Sequence, residues 1–424
     1  MNTEMFYFTS LSLSNRLQLM RSTGAFKQKI LWKEFLPAFV IVFNTITWYT
    51  LIYAAFSSAI NSLDVPSAET LMIFSVHYLG FAVSAILGSI IYPRARALSL
   101  FSWILAGTVM SALLITVPSN SVVGNIFISL FLGISIGIGL PSCLAYFGDV
   151  TFTENRGVHG GITWSAVGFG VLLLALLVSS LNSVLVFLTL AAWRGLGLVA
   201  FIFVKNKEKI QPTHSSSSYF SILRRTDVIL YLIPWVMFCL VNFVEAPMVE
   251  SLFGDFYVFA QFIVVALTGF FALIGGTLAD IVGRKRVIMT GFVVLGIEYA
   301  VLSLFYGMPF SWYLYTAFDG IAWGMFASVF YMTLWGDLAG AYEKEKYYLL
   351  GGLSYILSGF LSILVKPYVE IIPLSTAFSL ASFFLFLAVL PLMYAPETLP
   401  EKKIRERELK EYIEKAKKVK KKYA

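Results

Sequence analysis

Asp319 stands nine residues after Phe310 and eighteen before Asp337, inside a run almost free of other charges. An ionisable side chain that deep in an apolar segment is costly to keep and marks a binding or proton-carrying position. Glu245 shares a second apolar run with Asn242, and Pro247 is expected to break the helix beyond it. A third run offers Asn44, Thr45, Trp48 and Tyr49 but no acid. Arg194, Glu298 and His77 are also deep, and each reads as a packing or internally paired residue. Covalent and metal chemistry find no comparable set. Cys143 and Cys239 lie apart in apolar runs, and His77, His159 and His214 are scattered, so neither a disulfide framework nor a metal pattern is expected. No nucleophile–base pair points to an enzyme, and no cofactor is expected.

The elements that carry these residues follow from composition. Of 424 residues, 58% are hydrophobic and 13% charged, about half the charged fraction of a soluble domain. Lipid is the matching solvent. Net charge is +7, but residues 401–424 hold eleven Lys/Arg against five Glu, so the rest of the chain sums to only +1. A basic tail of this kind gives no basis for nucleic-acid binding. Twelve runs are long enough to cross a bilayer as helices: 35–60, 68–91, 97–117, 121–147, 157–180, 182–204, 227–252, 255–281, 286–306, 310–336, 346–366 and 369–394. None alternates with the period of a barrel strand. Of 31 Lys/Arg, 29 fall at the ends or in connections on one side, which places both termini in the cytoplasm of a multi-pass plasma-membrane protein.

The organisation is a cytoplasmic segment 1–34, a six-helix unit 35–204, a linker 205–226, a second six-helix unit 227–394 and a basic tail 395–424. The linker holds a serine tract ending at Ser218 and reads as flexible. The tail has helical charge spacing, and the anionic inner leaflet and water are equally matched settings for it. The two six-span units repeat. An offset of 188 residues takes Gly88 to Gly276, Arg96 to Arg284, Gly148-Asp149 to Gly336-Asp337 and Arg156 to Lys344; at 191, Gly160-Gly161 meets Gly351-Gly352. Parallel repeats of six spans are a transporter architecture.

The segment Gly276-Thr-Leu-Ala-Asp280-Ile-Val-Gly283-Arg284-Lys285-Arg286 closely resembles motif A of the major facilitator superfamily, G-x-L-a-D-r-x-G-R-k, and stands between the second and third spans of its half. The first-half copy keeps Gly88 and Arg96, with Tyr92 and Ala95 replacing its Asp and second Gly. The spaced pairs Asp149–Arg156 and Asp337–Lys344, with Pro396-Glu397-Thr398 after the last span, resemble the sugar-porter and metabolite–proton symporter branches. Departures are as plain: Trp164 stands where sugar porters place a sugar-binding Gln, the seventh-span Q-Q-x-x-G-x-N and fourth-span arginine are missing, and so is the antiporter G-P-x-x-G-G.

The resemblance implies an all-α fold of twelve helices in two six-helix repeats around a central cavity lined by spans one, four, seven and ten. It implies a secondary transporter of a small organic solute such as a sugar or organic acid, a symporter if protons drive it. The rival readings are a solute sensor without flux and a uniporter or effluxer. The implied solute contacts are Asn44, Trp48, Trp164, Asn242, Glu245, Asp319 and Trp323; Asp319 is the proton carrier, with Glu245 in reserve. The implied cytoplasmic gate is Gly276, Asp280, Gly283, Arg284, Lys285, Asp337 and Lys344, with Gly88, Arg96, Asp149 and Arg156 as a parallel first-half set. In the family Asp280 meets the start of span eleven. The abundant aromatic residues read as lipid-facing, and a monomer is expected.

Overall fold

In lipid every backbone N–H and C=O must find its partner within the protein, so an apolar run of this length folds as a helix. The computed structural model of the chain describes residues 32–63, 66–91, 96–116, 121–203, 218–340, 344–400 and 413. Among them there is no strand. Twelve helices are long and apolar enough to cross a membrane: α1 (Trp32–Asn61), α2 (Ser67–Ile91), α3 (Arg96–Thr116), α4 (Val122–Val150), α5 (Arg156–Val178), α6 (Ser183–Ile202), α7 (Thr226–Phe253), α8 (Phe256–Val282), α9 (Arg284–Phe305), α10 (Pro309–Ala339), α11 (Lys344–Tyr368) and α12 (Leu374–Tyr394). The serine tract up to position 217, Tyr92, Ala95, the segment before Trp32 and nearly all of the basic tail lie outside the described residues.

The helices end where local chemistry stops them. Ser121 caps α4 by accepting the Gly124 N–H at 3.2 Å, and Asn182 caps α6 by accepting that of Leu185 at 3.0 Å. Pro309 opens α10, where its missing N–H costs nothing. Several helices run past the apolar stretch: Asp149, Asp337, Lys344 and Glu345 all lie in helical turns rather than loops. Their charges are paired there, which removes the penalty that ends a hydropathic run. Pro247, expected to break α7, does not; the helix passes through both Pro234 and Pro247.

Four pairings recur in the two halves. The first half packs α2 on α4, α3 on α6, and α1 on both α5 and α6; the second repeats these as α8 on α10, α9 on α12, and α7 on α11 and α12. Between the halves, α5 lies along α8 and α2 along α11, with α10 against α5. The α5–α8 seam is made by absent side chains. A Cβ on Gly276 would strike the Gly157 carbonyl, one on Gly161 that of Ala272, and one on Gly168 the backbone of Gly269. Small residues let two backbones come this close in lipid. Residues Ala327–Leu334 of α10 form a π-helical stretch, a rare geometry often found at functional sites. It is supported where the Thr333 hydroxyl donates to the Ser328 carbonyl at 2.7 Å.

Candidate functional site

Two groups of side chains lie between the halves, one at the face where α1 begins and α12 ends (the terminal face) and one at mid-depth. At the terminal face the glycine approach of α8 to α5 delivers Asp280 to the first turn of α5. Its carboxylate accepts the backbone N–H of Gly157 at 3.0 Å and of Val158 at 2.7 Å, satisfying donors that a helix start leaves open. Arg284 holds the same carboxylate at 2.8 Å and donates its Nε to Asp337 at 3.0 Å. Asp337 also accepts from Arg156, whose remaining donors reach Thr151 and the Gly148 and Thr151 carbonyls. In the other repeat Arg96 donates to Asp149 at 2.6 Å and also pairs with Glu345, while Lys344 pairs with Asp149. The arrangement is an exchange. Arg96 and Arg284 each pair with the aspartate of their own half, and Arg156 and Lys344 each cross to the other's. Arg284 and Asp337 are fully buried at the side chain, so deleting one partner strands a charge, a loss of about 3–5 kcal/mol.

Five expectations for this group change. Asp280 meets the start of α5, not of α11, because α8 packs along α5 while α11 packs on α2. Arg156 leaves the first-half set and crosses to Asp337, since it opens α5 beside the end of α10. Gly88 packs within its own half: a Cβ there would strike the Ile138 carbonyl of α4. Lys285 also stays in its half, donating to the Met393 and Ala395 carbonyls at 3.2 and 3.0 Å, which end α12. Gly283 is a turn rather than a contact. Its φ of 103° favours glycine, and a Cβ would meet Glu397. Glu397, in the Pro396-Glu397-Thr398 segment, accepts the Arg284 N–H at 2.8 Å and that of Lys285 at 3.2 Å, capping α9. Sequence reasoning missed Glu345, which sits directly after Lys344 and reads as a routine first-turn acid.

At mid-depth two cavities of about 290 Å³ each adjoin, both bordered by Ile46, Thr50, Trp164, Trp323 and Tyr355. The first is walled largely by rings, including Tyr49, Tyr53, Trp235 and Tyr331. The second adds Asn242, Tyr257, Gln261, Tyr315 and Asp319. A vestibule of about 1040 Å³ borders both, sharing Tyr53 and Tyr78 with the first and Tyr257 with the second. It is lined further out by Asn61, Ser67, Glu250 and Lys366, at helix ends opposite the terminal face. The inner cavities therefore lead away from the ionic cluster. Asp319 is 4% exposed, lines the second cavity, and has no ion-pair partner among the described residues.

Of the expected solute contacts, Trp164, Asn242, Asp319 and Trp323 line the cavities, and three do not. Asn44 turns into the first half, donating to the Trp193 carbonyl at 2.6 Å and accepting from Arg194 at 3.2 Å. Trp48 is fully buried, with its indole N–H on the Ser111 hydroxyl at 2.7 Å. The face of α1 toward the cavities carries Thr45, Tyr49 and Tyr53 instead, about 100° round the helix from Asn44 and Trp48. Glu245 is buried, lines none of these cavities, and leaves one oxygen unbonded. Asn242, Ala246 and Val249 are the α7 positions that face inward there. The lining also draws on α2, α5, α8 and α11 through Tyr78, Trp164, Gln261 and Tyr355, beyond the four helices expected. Many aromatics thus face the cavities rather than lipid. A ring repeat along α1 at Tyr49 and Tyr53 was the available signal.

Three deep residues stay in the packing. Arg194 donates to Asn44 and, at 2.7 Å, to Thr45, and its guanidinium lies 4.7 Å and 4.5 Å from the ring centres of Trp48 and Trp103. His77 lies between the Tyr49 hydroxyl at 3.0 Å and the Ser129 carbonyl at 3.3 Å. Glu298 is fully buried with both oxygens unbonded.

Comparison with known proteins places this arrangement on a known fold. No family model matches the sequence, and no curated protein matches it. Among solved structures the chain is similar to the human organic anion transporter MFSD10 (TETRAN), with a TM-score of 0.61 at 14% identity, over 85% of this chain and 99% of that one. At that identity the likeness is one of fold: the chain shares its twelve-helix architecture with that structure.

Proposed function

We propose that the chain is a secondary transporter that moves a small organic solute by alternating access, with protons as the coupling ion. The observation that carries this reading is the pairing of opposites across one axis. Mid-depth cavities lead out through a vestibule at one face, and a crossed ionic cluster shuts the other. A solute entering the vestibule reaches Trp164, Trp323 and Asp319; breaking the Arg156–Asp337 and Lys344–Asp149 links lets the halves part at the terminal face and release it. That face is cytoplasmic in this reading, by the 29 basic residues on its side, and the membrane is the plasma membrane. Asp319 is the proton carrier, being the carboxylate in contact with the cavity and free of a cation. The bilayer is its surroundings and a monomer its working unit.

The test is uptake into proteoliposomes of the purified chain, with and without an imposed pH gradient, over a panel of organic cations, sugars, organic acids and amino acids. Gradient-dependent accumulation of one class supports the reading. Saturable binding without flux for every solute bound overturns it in favour of a sensor.

A further inference from the structure

We infer that the joined inner cavities are a site for a small organic cation with a flat apolar body. Its charge lies against Asp319 and its body among the rings of Trp164, Trp323, Tyr331 and Tyr355. This assignment rests on the reading of these cavities as the solute site and supplies its ligand class.

Charge is the first argument. Among the described residues, those lining the two inner cavities include one carboxylate, Asp319, and no lysine, arginine or histidine. An anion entering would meet an uncompensated acid and no cationic donor, whereas a cation would supply the partner Asp319 lacks. Buried charges persist when paired, so the pairing favours occupancy. Arg194 does not reverse this. It lines neither cavity, its contacts are Asn44 and Thr45, and the indoles of Trp48 and Trp103 lie on its guanidinium.

The walls are the second argument. Trp164 and Trp323 border both cavities, so indole surface continues from the ring-walled first cavity into the one that holds Asp319. Trp164 lies 5.2 Å from Tyr331, and Trp323 5.9 Å from Tyr355, centre to centre. Aromatic faces attract a desolvated cation, and they take a planar apolar body without asking for hydrogen bonds. A sugar would ask for them, and among the described residues side-chain amides enter the lining only at Asn242 and Gln261, both in the second cavity. Volume is the third argument. Small-molecule sites span about 300–1,000 Å³, and each inner cavity, at about 290 Å³, stands at the low end. The ligand is therefore small and spans the two.

The test is equilibrium binding to the purified chain in nanodiscs, with radiolabelled N-methyl-4-phenylpyridinium as the probe. The competitors are biphenyl-4-methanol, which is neutral and of similar shape, biphenyl-4-carboxylate and glucose. The permanent cation should bind saturably and outcompete the carboxylate and glucose. Asp319→Asn should weaken it by about tenfold or more, a loss of at least one full paired-charge contact, while affinity for the neutral analogue changes little. Asp319→Glu should restore most of the cation's affinity, which a merely misfolded variant would not show. Tighter binding of the carboxylate or of glucose, unchanged cation affinity in Asp319→Asn, or no binding of the cation would each overturn the assignment. Binding is separable from flux. A chain that binds the cation but transports nothing keeps this ligand class and loses the transport reading; one that transports sugars or acids and ignores the cation does the reverse.

Discussion

The carboxylate of Asp280 accepts the backbone N–H of Gly157 at 3.0 Å across 123 positions of sequence and across the boundary between halves. One side chain thereby closes the start of α5, anchors Arg284 and marks the end of the glycine seam. Loss of its charge should weaken the closed terminal face without unfolding either half. Asp280→Asn keeps the size and one acceptor oxygen, so a shift of about 1–2 kcal/mol is expected, the worth of a charged cap at a partly buried helix start. Spin labels across the terminal face should report longer distances in the variant. An unchanged distance distribution would remove Asp280 from the closing contacts.

Asp280 and Asp337 both hold Arg284, so their substitutions should not add. Residues in one network commonly couple by about 0.5–3 kcal/mol. The shift in the open–closed equilibrium of Asp280→Asn with Asp337→Asn should therefore fall short of the sum of the single shifts. Full additivity in that cycle would mean two separate contacts.

Gly276→Val drives a branched Cβ into the Gly157 carbonyl oxygen. The halves should then fail to close at the terminal face, and uptake through the vestibule should drop by about tenfold or more, the fate of a state raised by at least 1.4 kcal/mol. Gly352, with nothing within 4 Å of its added Cβ, serves as the control: Gly352→Ala should leave uptake near wild type. Equal losses in both variants would show that replacing a helical glycine as such, not closing the seam, is being measured.

Asp319 lines the second cavity together with Tyr257 and Tyr315. If it carries the coupling proton, Asp319→Asn should abolish accumulation driven by a pH gradient and retain exchange of labelled solute between equal pools. Accumulation at wild-type levels in the variant would leave Asp319 with solute binding alone, and uniport would become the better account.

Much of the terminal cluster is legible in the chain because membrane proteins leave charge only where it has a use. Arg284, Asp337, Arg96 and Asp149 stand out at the ends of apolar runs, and the 188-residue offset by itself matches Arg96 with Arg284 and Asp149 with Asp337. Partners across the halves are another matter. Arg156 and Lys344 exchange aspartates, and nothing in a repeat says whether equivalent groups bond within a copy or between copies. The direction in which α1 faces is equally hidden. Its polar residues fall on two adjacent strips, and choosing Asn44 and Trp48 over Thr45 and Tyr49 is a rotation of about 100°. Hydropathy also ends helices early wherever a paired charge extends them, as at Asp149 and Lys344.

The seam of α5 and α8 brings backbone against backbone at Gly157–Gly276, Gly161–Ala272 and Gly168–Gly269. A joint of that kind can roll without lifting side chains out of sockets, so packing offers little resistance along it. Resistance to opening is then concentrated at one end, in a handful of polar bonds that make or break within a few ångströms. Because the Arg156–Asp337 and Arg284–Asp337 bonds are buried, salt in the medium should barely alter their hold on the joint, and should act on the more open Lys344–Asp149 pair instead. The molecule is in this respect a hinge with a smooth pin and a bolt, and single substitutions in the bolt, rather than along the pin, should set its pace.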